Sequence, residues 1–160
     1  KIITDYSFHC ATHEALEQNS EHVPVWAYIF NKVPSFNYAC IPECGEFVCH
    51  TAELPFVFHT AELLHHCTLR RKFGYEYTPE EERMSQEMMN YWTNFAKYLD
   101  PNGQGEDKTA FTWTPFTPEA KEYIIFDENP LQLILDPFEK CVFWNEIGYS
   151  LKTPWVEGEQ

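Results

Sequence analysis

His50 is the histidine whose position best suits catalysis, and a histidine side chain can accept and release protons near neutral pH. It stands in the segment ECGEFVCHTAELPF, residues 43–56, on a loop that follows an apolar segment with strand character. An imidazole on a loop that is held by a rigid sheet can act as a general base, because the sheet positions the ring and the ring accepts and returns a proton. His50 is therefore the first candidate for catalysis.

Four further histidines have less specific positions. His65 and His66 are adjacent, so their side chains diverge if the segment is helical. His9 and His13 are four residues apart, which places them on one helix face and is compatible with a metal ion, although such spacing often arises by chance. For each of these histidines a structural or surface role is the simpler interpretation.

A general base needs a nucleophile to activate, and no serine of the chain stands in the required context. The nucleophile elbow has the pattern Gly-x-Ser-x-Gly, which is absent from the 160 residues. The serines lie in helical or loop contexts without flanking glycines: Ser7, Ser20, Ser35, Ser85 and Ser150. Cys49 is an alternative nucleophile, but it directly precedes His50, and adjacent residues are poorly placed to react as a pair.

Six cysteines, an even and high number, favour disulfide bonds and an exported protein over a reduced cytosolic enzyme. They are Cys10, Cys40, Cys44, Cys49, Cys67 and Cys141. The alternative is a zinc site with the ligands Cys40, Cys44, Cys49 and His50. The gaps of three and four residues between these cysteines differ from the Cys-x2-Cys pairs that are typical of zinc sites. No Asn-x-Ser/Thr sequence is present to support secretion independently.

Charge and hydropathy exclude several classes of partner. The chain has 11 Lys and Arg against 25 Asp and Glu, a formal net charge of -14, whereas nucleic-acid affinity rests on cationic contacts. The longest apolar runs, such as residues 23–30, are far shorter than the roughly 20 residues that cross a bilayer. No signal peptide is visible, and because Lys1 is not a start methionine, the chain could be a piece of a longer protein. We expect no nucleic-acid partner, no membrane span, no cofactor and no metal.

Hydrophobic periodicity predicts a mixture of helices and strands. Apolar spacing predicts a helix over residues 5–18, and the apolar, β-branched run at residues 23–30 predicts a buried strand. Pro34 and Pro42 bracket an irregular loop that continues to His50. Three further segments have regular patterns: strands at 122–127 and 131–136, joined by a turn, and a helix at 138–149.

The clearest helix begins at Thr78, which can form a capping box with Glu81, and Pro79 suits its first turn. Apolar residues at intervals of three and four then predict a stripe that packs in the core: Met84, Met88, Tyr91, Trp92, Phe95 and Leu99. The sequence Asp-Pro-Asn-Gly at residues 100–103 ends the helix.

The segment CHTAELPFVF, residues 49–58, resembles the region around the catalytic histidine of the type B carboxylesterase and cholinesterase family, where Gly-x-Glu-Leu follows the histidine. Other segments resemble the family in the same order: TDYSFHCA at 4–11, VPVWAYIF at 23–30, EEERMSQEMMNYWTNFAKYLDPN at 80–102, WTPF at 113–116 and CVFWN at 141–145. The resemblance thus covers nearly the whole chain. It implies an α/β fold, the C-terminal part of a single α/β-hydrolase domain over residues 1–160, with a few strands of the central sheet plus packing helices.

The resemblance also implies roles for residues of the site. In this family the triad order is Ser, then Glu or Asp, then His, so His50 is the general base, and we expect the serine and the acid upstream of Lys1. Glu53 matches an accompanying glutamate of the family, which we interpret as a support for the histidine or as a carboxylate at a helix start, in preference to the orienting acid. Thr51 stands where the family usually has glycine, and this departure affects the shape of the substrate pocket. Leu99 also replaces a glycine, which we interpret as a milder departure.

The cysteines can be paired by the same resemblance. Cys10 and Cys141 match a pair that the cholinesterases bridge, and Cys44 with Cys49 resembles a bridge in related esterases. These two pairs leave Cys40 with Cys67. A Cys44–Cys49 bridge would fix the loop directly before His50 and help to preorganise the base.

The function implied by the resemblance is carboxylic ester hydrolysis. We expect the C-terminal part of a secreted or extracellular carboxylesterase-type serine hydrolase, inactive without its upstream N-terminal part, and acting on a small-molecule ester. The alternative is a non-catalytic cholinesterase-like domain for adhesion or storage, because a single member of the triad does not decide between them.

Overall fold

The computed structural model describes residues 4–36, 42–61, 76–127, 132–135 and 140–146, which contain helices and short strands. The first elements are a π-helical turn Asp5–His9, helix α1 (Cys10–Ser20), strand β1 (Tyr28–Phe30), a 3-10 turn Pro42–Gly45 and the short helix α2 (Leu54–Val57). The following elements are helix α3 (Pro79–Tyr98), a 3-10 turn Gly105–Asp107, strands β2 (Glu122–Phe126) and β3 (Gln132–Leu135), and helix α4 (Lys140–Glu146). No helix in these described ranges is long and apolar enough to span a membrane.

These elements confirm the predicted helices and the two later strands, but the first strand is much shorter than predicted. Of residues 23–30, only Tyr28–Phe30 is a strand. Val25 forms an isolated antiparallel bridge with Phe116. Pro24 has no N–H group for a ladder hydrogen bond, which is the physical reason why a continuous strand is disfavoured here.

The three strands form one sheet in the order β1-β2-β3. β1 pairs with β2 in parallel, with Tyr28 opposite Ile124 and Phe30 opposite Phe126. Ile124 and Phe126 are fully buried, as expected for strands of a parallel sheet. A small parallel sheet together with helices agrees with the predicted α/β class.

The described residues divide into two compact units. The terminal unit comprises residues 4–27, 114–123, 134–135 and 140–146, and the central unit comprises residues 28–36, 42–61, 76–113, 124–127 and 132–133. His50 lies in the central unit. The expectation that residues 1–160 belong to a single hydrolase domain stays a prediction.

In the terminal unit, the start of the chain is joined to its last described helix. A disulfide bond links Cys10 to Cys141 across 131 residues, with a Cα–Cα distance of 5.3 Å. The rings of Tyr6 and Trp144 meet edge to face, 5.4 Å apart. In the chain-entropy model a loop of this length stabilises the folded state by roughly 4 to 5 kcal/mol.

His13 has a structural role in the same unit. It is only 7% exposed, and its Nδ1 lies 2.8 Å from the hydroxyl oxygen of Tyr123. Nearby, the ammonium group of Lys121 lies 2.8 Å from Glu17 and lowers the pKa of that carboxyl group. Across the described ranges there is no group of three His, Cys, Asp or Glu side chains that could hold a metal ion.

The long helix α3 begins as predicted. The backbone N–H of Glu81 donates to the Thr78 hydroxyl at 3.2 Å, and the backbone N–H of Thr78 donates to the Glu81 carboxylate at 3.0 Å. Met84, Met88 and Tyr91 are buried, which confirms the first part of the predicted stripe.

The last part of the predicted stripe is wrong. Phe95 is 45% exposed and Leu99 is 75% exposed, whereas the polar Ser85 and Asn94 are buried. Leu99 has a positive φ of 56° at the C-cap of α3, so its side chain leaves the helical register. At Leu99 the predicted stripe continued past the end of the helix, whereas Phe95 lies within the helix on a face that the described residues leave exposed.

The conformation of Leu99 leads to a testable result. A non-glycine residue in the left-handed region costs about 1 kcal/mol or more, and helices favour glycine at this position. We therefore expect Leu99→Gly to raise the free energy of unfolding of the complete protein by about 1 kcal/mol, measured by urea denaturation. Leu99→Ala is the control, because it removes the same exposed side chain but keeps the Cβ atom. An equal gain for both variants would contradict this explanation.

Tyr91 anchors the middle of α3 to the following loop. Its hydroxyl donates to the carbonyl oxygen of Phe111 at 2.8 Å, and its ring packs against Trp113 and Phe126. Burial raises the pKa of Tyr91 to about 12. The neutral hydroxyl is therefore the form that the folded protein favours.

This raised pKa predicts a specific pH dependence. A tyrosine with a raised folded pKa contributes stability that is complete below its unfolded pKa of about 10 and is lost as pH rises toward about 12. We expect Tyr91→Phe to unfold more easily than the natural protein at pH 8, by about 1 kcal/mol for the lost hydrogen bond. The difference should shrink between pH 10 and pH 12, measured by urea denaturation at each pH. A difference that stays constant over this range would contradict the prediction.

Candidate active-site loop

The loop before His50 is closed by a short disulfide bond. Cys44 and Cys49 are bridged, with a Cα–Cα distance of 5.4 Å. Cys44 is 1% exposed, whereas the residues between the two cysteines are exposed, with Phe47 at 63%. The bridge thus anchors an exposed loop to the protein interior directly before His50.

His50 itself lies in a tight turn. The backbone N–H of Ala52 donates to the carbonyl oxygen of Cys49 at 3.1 Å, which closes a four-residue turn from Cys49 to Ala52. Thr51 has a φ of 71°, whereas His50 does not have a positive φ. This combination is that of a type II turn, with His50 at its second position and Thr51 at its third. The side chain of His50 is exposed.

Thr51 occupies the position of the turn at which glycine is normally required. A type II turn needs a positive φ at its third residue, and a β-branched side chain is strongly disfavoured there. Such a conformation costs about 1 to 3 kcal/mol and persists only when the surroundings enforce it. The departure from glycine noted in the sequence therefore falls on a strained residue next to His50.

Relief of this strain can be measured. We expect Thr51→Gly to raise the free energy of unfolding of the complete protein by about 1 kcal/mol, because glycine adopts this φ without strain but loses more chain entropy on folding. Thr60→Gly is a matched control, since Thr60 lacks a positive φ and the same change there should destabilise. Urea denaturation of both variants provides the comparison. A loss of stability in Thr51→Gly equal to that in Thr60→Gly would show that Thr51 is unstrained.

The turn leads directly into helix α2. The backbone N–H of Leu54 donates to the carbonyl oxygen of Thr51 at 3.1 Å, and Pro55, Phe56 and Val57 are buried. The His50 turn is therefore fixed on one side by the disulfide bond and on the other by a buried helix.

Glu53 lies at the N-cap of α2, which agrees with a carboxylate at a helix start, but its side chain makes no capping hydrogen bond. It is half-buried. Burial, and then the negative charge of Glu53, raise the pKa of the Tyr28 hydroxyl. Support of His50 by Glu53 stays a prediction.

The structure also contains a serine, histidine and carboxylate cluster that the sequence analysis did not identify. The Nδ1 of His59 lies 2.9 Å from the Ser85 hydroxyl, and its Nε2 lies 3.6 Å from the Glu82 carboxylate. Ser85 is fully buried, and its hydroxyl donates to the carbonyl oxygen of Phe56 at 2.7 Å. A buried hydroxyl with its proton already committed cannot attack an ester, so this cluster joins α2 to α3 structurally. The only sequence signal was the three-residue spacing of Glu82 and Ser85 on one helix face.

The remaining candidates can now be placed. His50, Thr51 and Glu53 follow one another through a single turn and helix start. The predicted alternative of a zinc site with these cysteines as ligands is wrong, because Cys44 and Cys49 form a disulfide bond with each other. Four candidates fall outside the described residues, so their predicted roles stay open: Cys40, Cys67, His65 and His66.

Comparisons with known proteins show which family the chain resembles. The model of the carboxylesterase family matches residues 1–144. The Crystal protein of Dictyostelium discoideum is 28% identical over 156 residues, which cover 94% of this chain and 26% of that protein. An acylcarnitine hydrolase of Mus musculus is 28% identical over 130 residues, covering 81% of this chain and 21% of that protein.

An acetylcholinesterase of Bungarus fasciatus is 29% identical over 148 residues, which cover 90% of this chain and 22% of that protein. The chain therefore spans between 21% and 26% of the length of the curated relatives it matches. The family model, in contrast, extends over most of this chain. The chain belongs to the carboxylesterase family.

Proposed function

We propose that the chain is the C-terminal part of a secreted carboxylesterase-type serine hydrolase in which His50 is the general base. The observation that carries the proposal is the geometry of His50, an exposed imidazole in a turn that a disulfide bond and a buried helix fix on either side. A general base must be both accessible and held in place, and this turn meets both conditions.

In this mechanism the imidazole of His50 accepts the proton of a serine hydroxyl as the oxygen attacks the ester carbonyl carbon. The same ring then returns the proton to the departing alcohol, which leaves an acyl-enzyme. Water repeats the two proton transfers and releases the acid. The serine and the carboxylate that orients the imidazole would come from the upstream N-terminal part of the same protein.

The residues around His50 would support this chemistry indirectly. The Cys44–Cys49 bridge limits the motion of the loop, so that less ordering is needed when substrate binds. Thr51 adds a branched side chain beside the base, where the family has glycine, and so changes the shape of the space next to the imidazole. Glu53 would support the base from the start of α2 without contacting the substrate.

The substrate would be a small-molecule carboxylic ester. Two of the relatives are named an acylcarnitine hydrolase and an acetylcholinesterase, which favours this class. The two described disulfide bonds favour an extracellular location, because such bonds persist in oxidising compartments.

A second candidate is a non-catalytic adhesion or storage protein with the same fold. A specific observation favours it: the relative that matches over 94% of this chain is named Crystal protein, a name that denotes no reaction. The strained Thr51 beside His50 is a further departure from the family pattern.

One experiment separates the two candidates. The complete protein is incubated with an organophosphate, and the mass of the intact protein is measured before and after. A competent serine should bind one phosphoryl group per molecule in place of the leaving group of the reagent. A native protein that never gains this mass would overturn the enzyme proposal and favour the non-catalytic protein.

A further inference from the structure

The His50 loop, residues 42–52, has a segment of chain on either side of it in the sequence, and both segments are held to helix α3. The entry segment, residues 31–36, follows β1, and the exit segment, residues 53–61, contains α2. All of these residues belong to the central unit. Polar contacts join both segments to α3, through the side chains of Glu81 and Ser85, which the apolar stripe of the sequence analysis did not include.

Glu81 holds the entry segment. Its carboxylate is fully buried and accepts hydrogen bonds from the backbone N–H and the hydroxyl of Ser35, both at 2.6 Å. The ammonium group of Lys32, itself 8% exposed at the side chain, lies 3.7 Å from the same carboxylate. Three donor groups from one short segment therefore converge on one buried acceptor of α3.

Ser85, one helical turn after Glu81, holds the exit segment. Its hydroxyl donates to the carbonyl oxygen of Phe56 at 2.7 Å. Because that proton is committed, the hydroxyl oxygen accepts the N–H of His59 Nδ1 at 2.9 Å. Glu81 and Ser85 are four residues apart, so they lie on the same face of the helix.

Tyr77, four residues before Glu81, holds the exit segment at two points, within α2 and after it. Its hydroxyl donates to the carbonyl oxygen of Pro55 at 2.6 Å and accepts from the backbone N–H of Ala61 at 3.1 Å. Its ring also contacts Phe36 of the entry segment and Phe56 of the exit segment, at 5.8 and 5.5 Å. Tyr77 therefore touches both segments at once.

We infer that Tyr77, Glu81 and Ser85 are positioning residues for His50. They are spaced by four in the sequence, with Glu81 and Ser85 on α3 and Tyr77 directly before its N-cap Thr78. Together they hold the two segments that flank the His50 loop to the start of this one helix. The position of the imidazole relative to an incoming ester then depends on three side chains that lie 27 to 35 positions after it in the chain. This inference rests on the proposed role of His50 as the general base.

The inference predicts a specific kinetic effect. A displacement of a catalytic group by about 1 Å can cost up to about a hundredfold in rate. In the complete protein we expect Tyr77→Phe and Ser85→Ala to lower kcat for p-nitrophenyl acetate by about tenfold, with KM within about twofold of the natural value. Ser35→Ala, which removes one hydrogen bond of the entry segment, should act in the same direction.

The chain offers a matched control for each variant. Tyr91→Phe removes a hydroxyl that holds Phe111, outside both segments, and Thr93→Ala removes a hydroxyl on the exposed face of α3. Both controls should keep kcat within about twofold of the natural protein. Tyr77→Phe loses two hydrogen bonds and Tyr91→Phe loses one, so the melting temperature of every variant is measured to show how much of an effect on kcat comes from lost stability.

A double variant separates positioning from general loosening. In a His50→Ala background, Ser85→Ala should cause no further loss of the residual rate, because its effect passes through His50. A further tenfold loss would overturn the inference, as would a Tyr77→Phe variant whose kcat equals that of Tyr91→Phe. Full activity in His50→Ala would overturn both the inference and the proposed function, whereas an inactive His50→Ala with a fully active Tyr77→Phe would overturn the inference alone.

Discussion

Replacement of His50 by alanine in the complete protein is expected to lower kcat for ester hydrolysis by about four orders of magnitude or more. In the proposed mechanism the imidazole accepts the serine proton during attack on the carbonyl and returns a proton to the departing alcohol, and the variant lacks a group for either step. The variant should also fail to react with an organophosphate, because that reaction needs the same activated serine. Steady-state kinetics and mass spectrometry measure the two effects separately.

The stability of this variant should change little. His50 is exposed, so its replacement should cost about 1 kcal/mol or less, and the melting temperature should stay near that of the natural protein. His22→Ala is the matched control, since His22 is also exposed but lies far along the chain from the His50 turn. Comparable activities in the two variants would rule out His50 as the base.

Local signals predicted much of the fold. The capping box of Thr78 and Glu81 and the later strands depend on residues close together in sequence, and the structure confirms them. The positions of Phe95 and Leu99 were predicted wrongly, because periodicity identifies the face of a helix but not where the helix ends or what covers that face. Features that depend on residues close together in the sequence were therefore predictable, and features that depend on distant contacts were not.

The site shows the same limit more clearly. The resemblance to a family identified His50 in the sequence. The turn that holds it was not predicted, and it is defined by the hydrogen bond from Ala52 to Cys49 in the structure. The contacts that hold the loop join residues far apart in the chain, since Ser35 and Glu81 are 46 positions apart and His59 and Ser85 are 26 positions apart. No sequence pattern records such pairs, so the sequence analysis treated Glu81 only as a cap.

Glu81→Ala is expected to be the most destabilising single change in the described part of the central unit, with a loss of about 3 to 5 kcal/mol in the free energy of unfolding. The variant removes the carboxylate contact of the buried Lys32 ammonium group, at 3.7 Å. It also leaves the backbone N–H groups of Ser35 and Thr78 without the acceptor that they use at 2.6 and 3.0 Å. These two hydrogen bonds are partly buried, so each contributes about 1 kcal/mol, and the larger part of the loss comes from the buried Lys32 ammonium group that is left without this carboxylate.

Glu80→Ala is the control that isolates burial from charge. Glu80 lies in the same first turn of α3 and has the same favourable interaction with the helix dipole, but it is exposed, so its loss should cost about 0.5 kcal/mol. Glu81→Gln should fall between the two alanine variants, because the amide oxygen can still accept from Ser35 while the charge opposite Lys32 is lost. Urea denaturation of the complete protein gives the three values. If Glu81→Ala and Glu80→Ala unfold at the same urea concentration, the carboxylate does not join the entry segment to α3, and the rigidity ascribed to the His50 loop loses its main support.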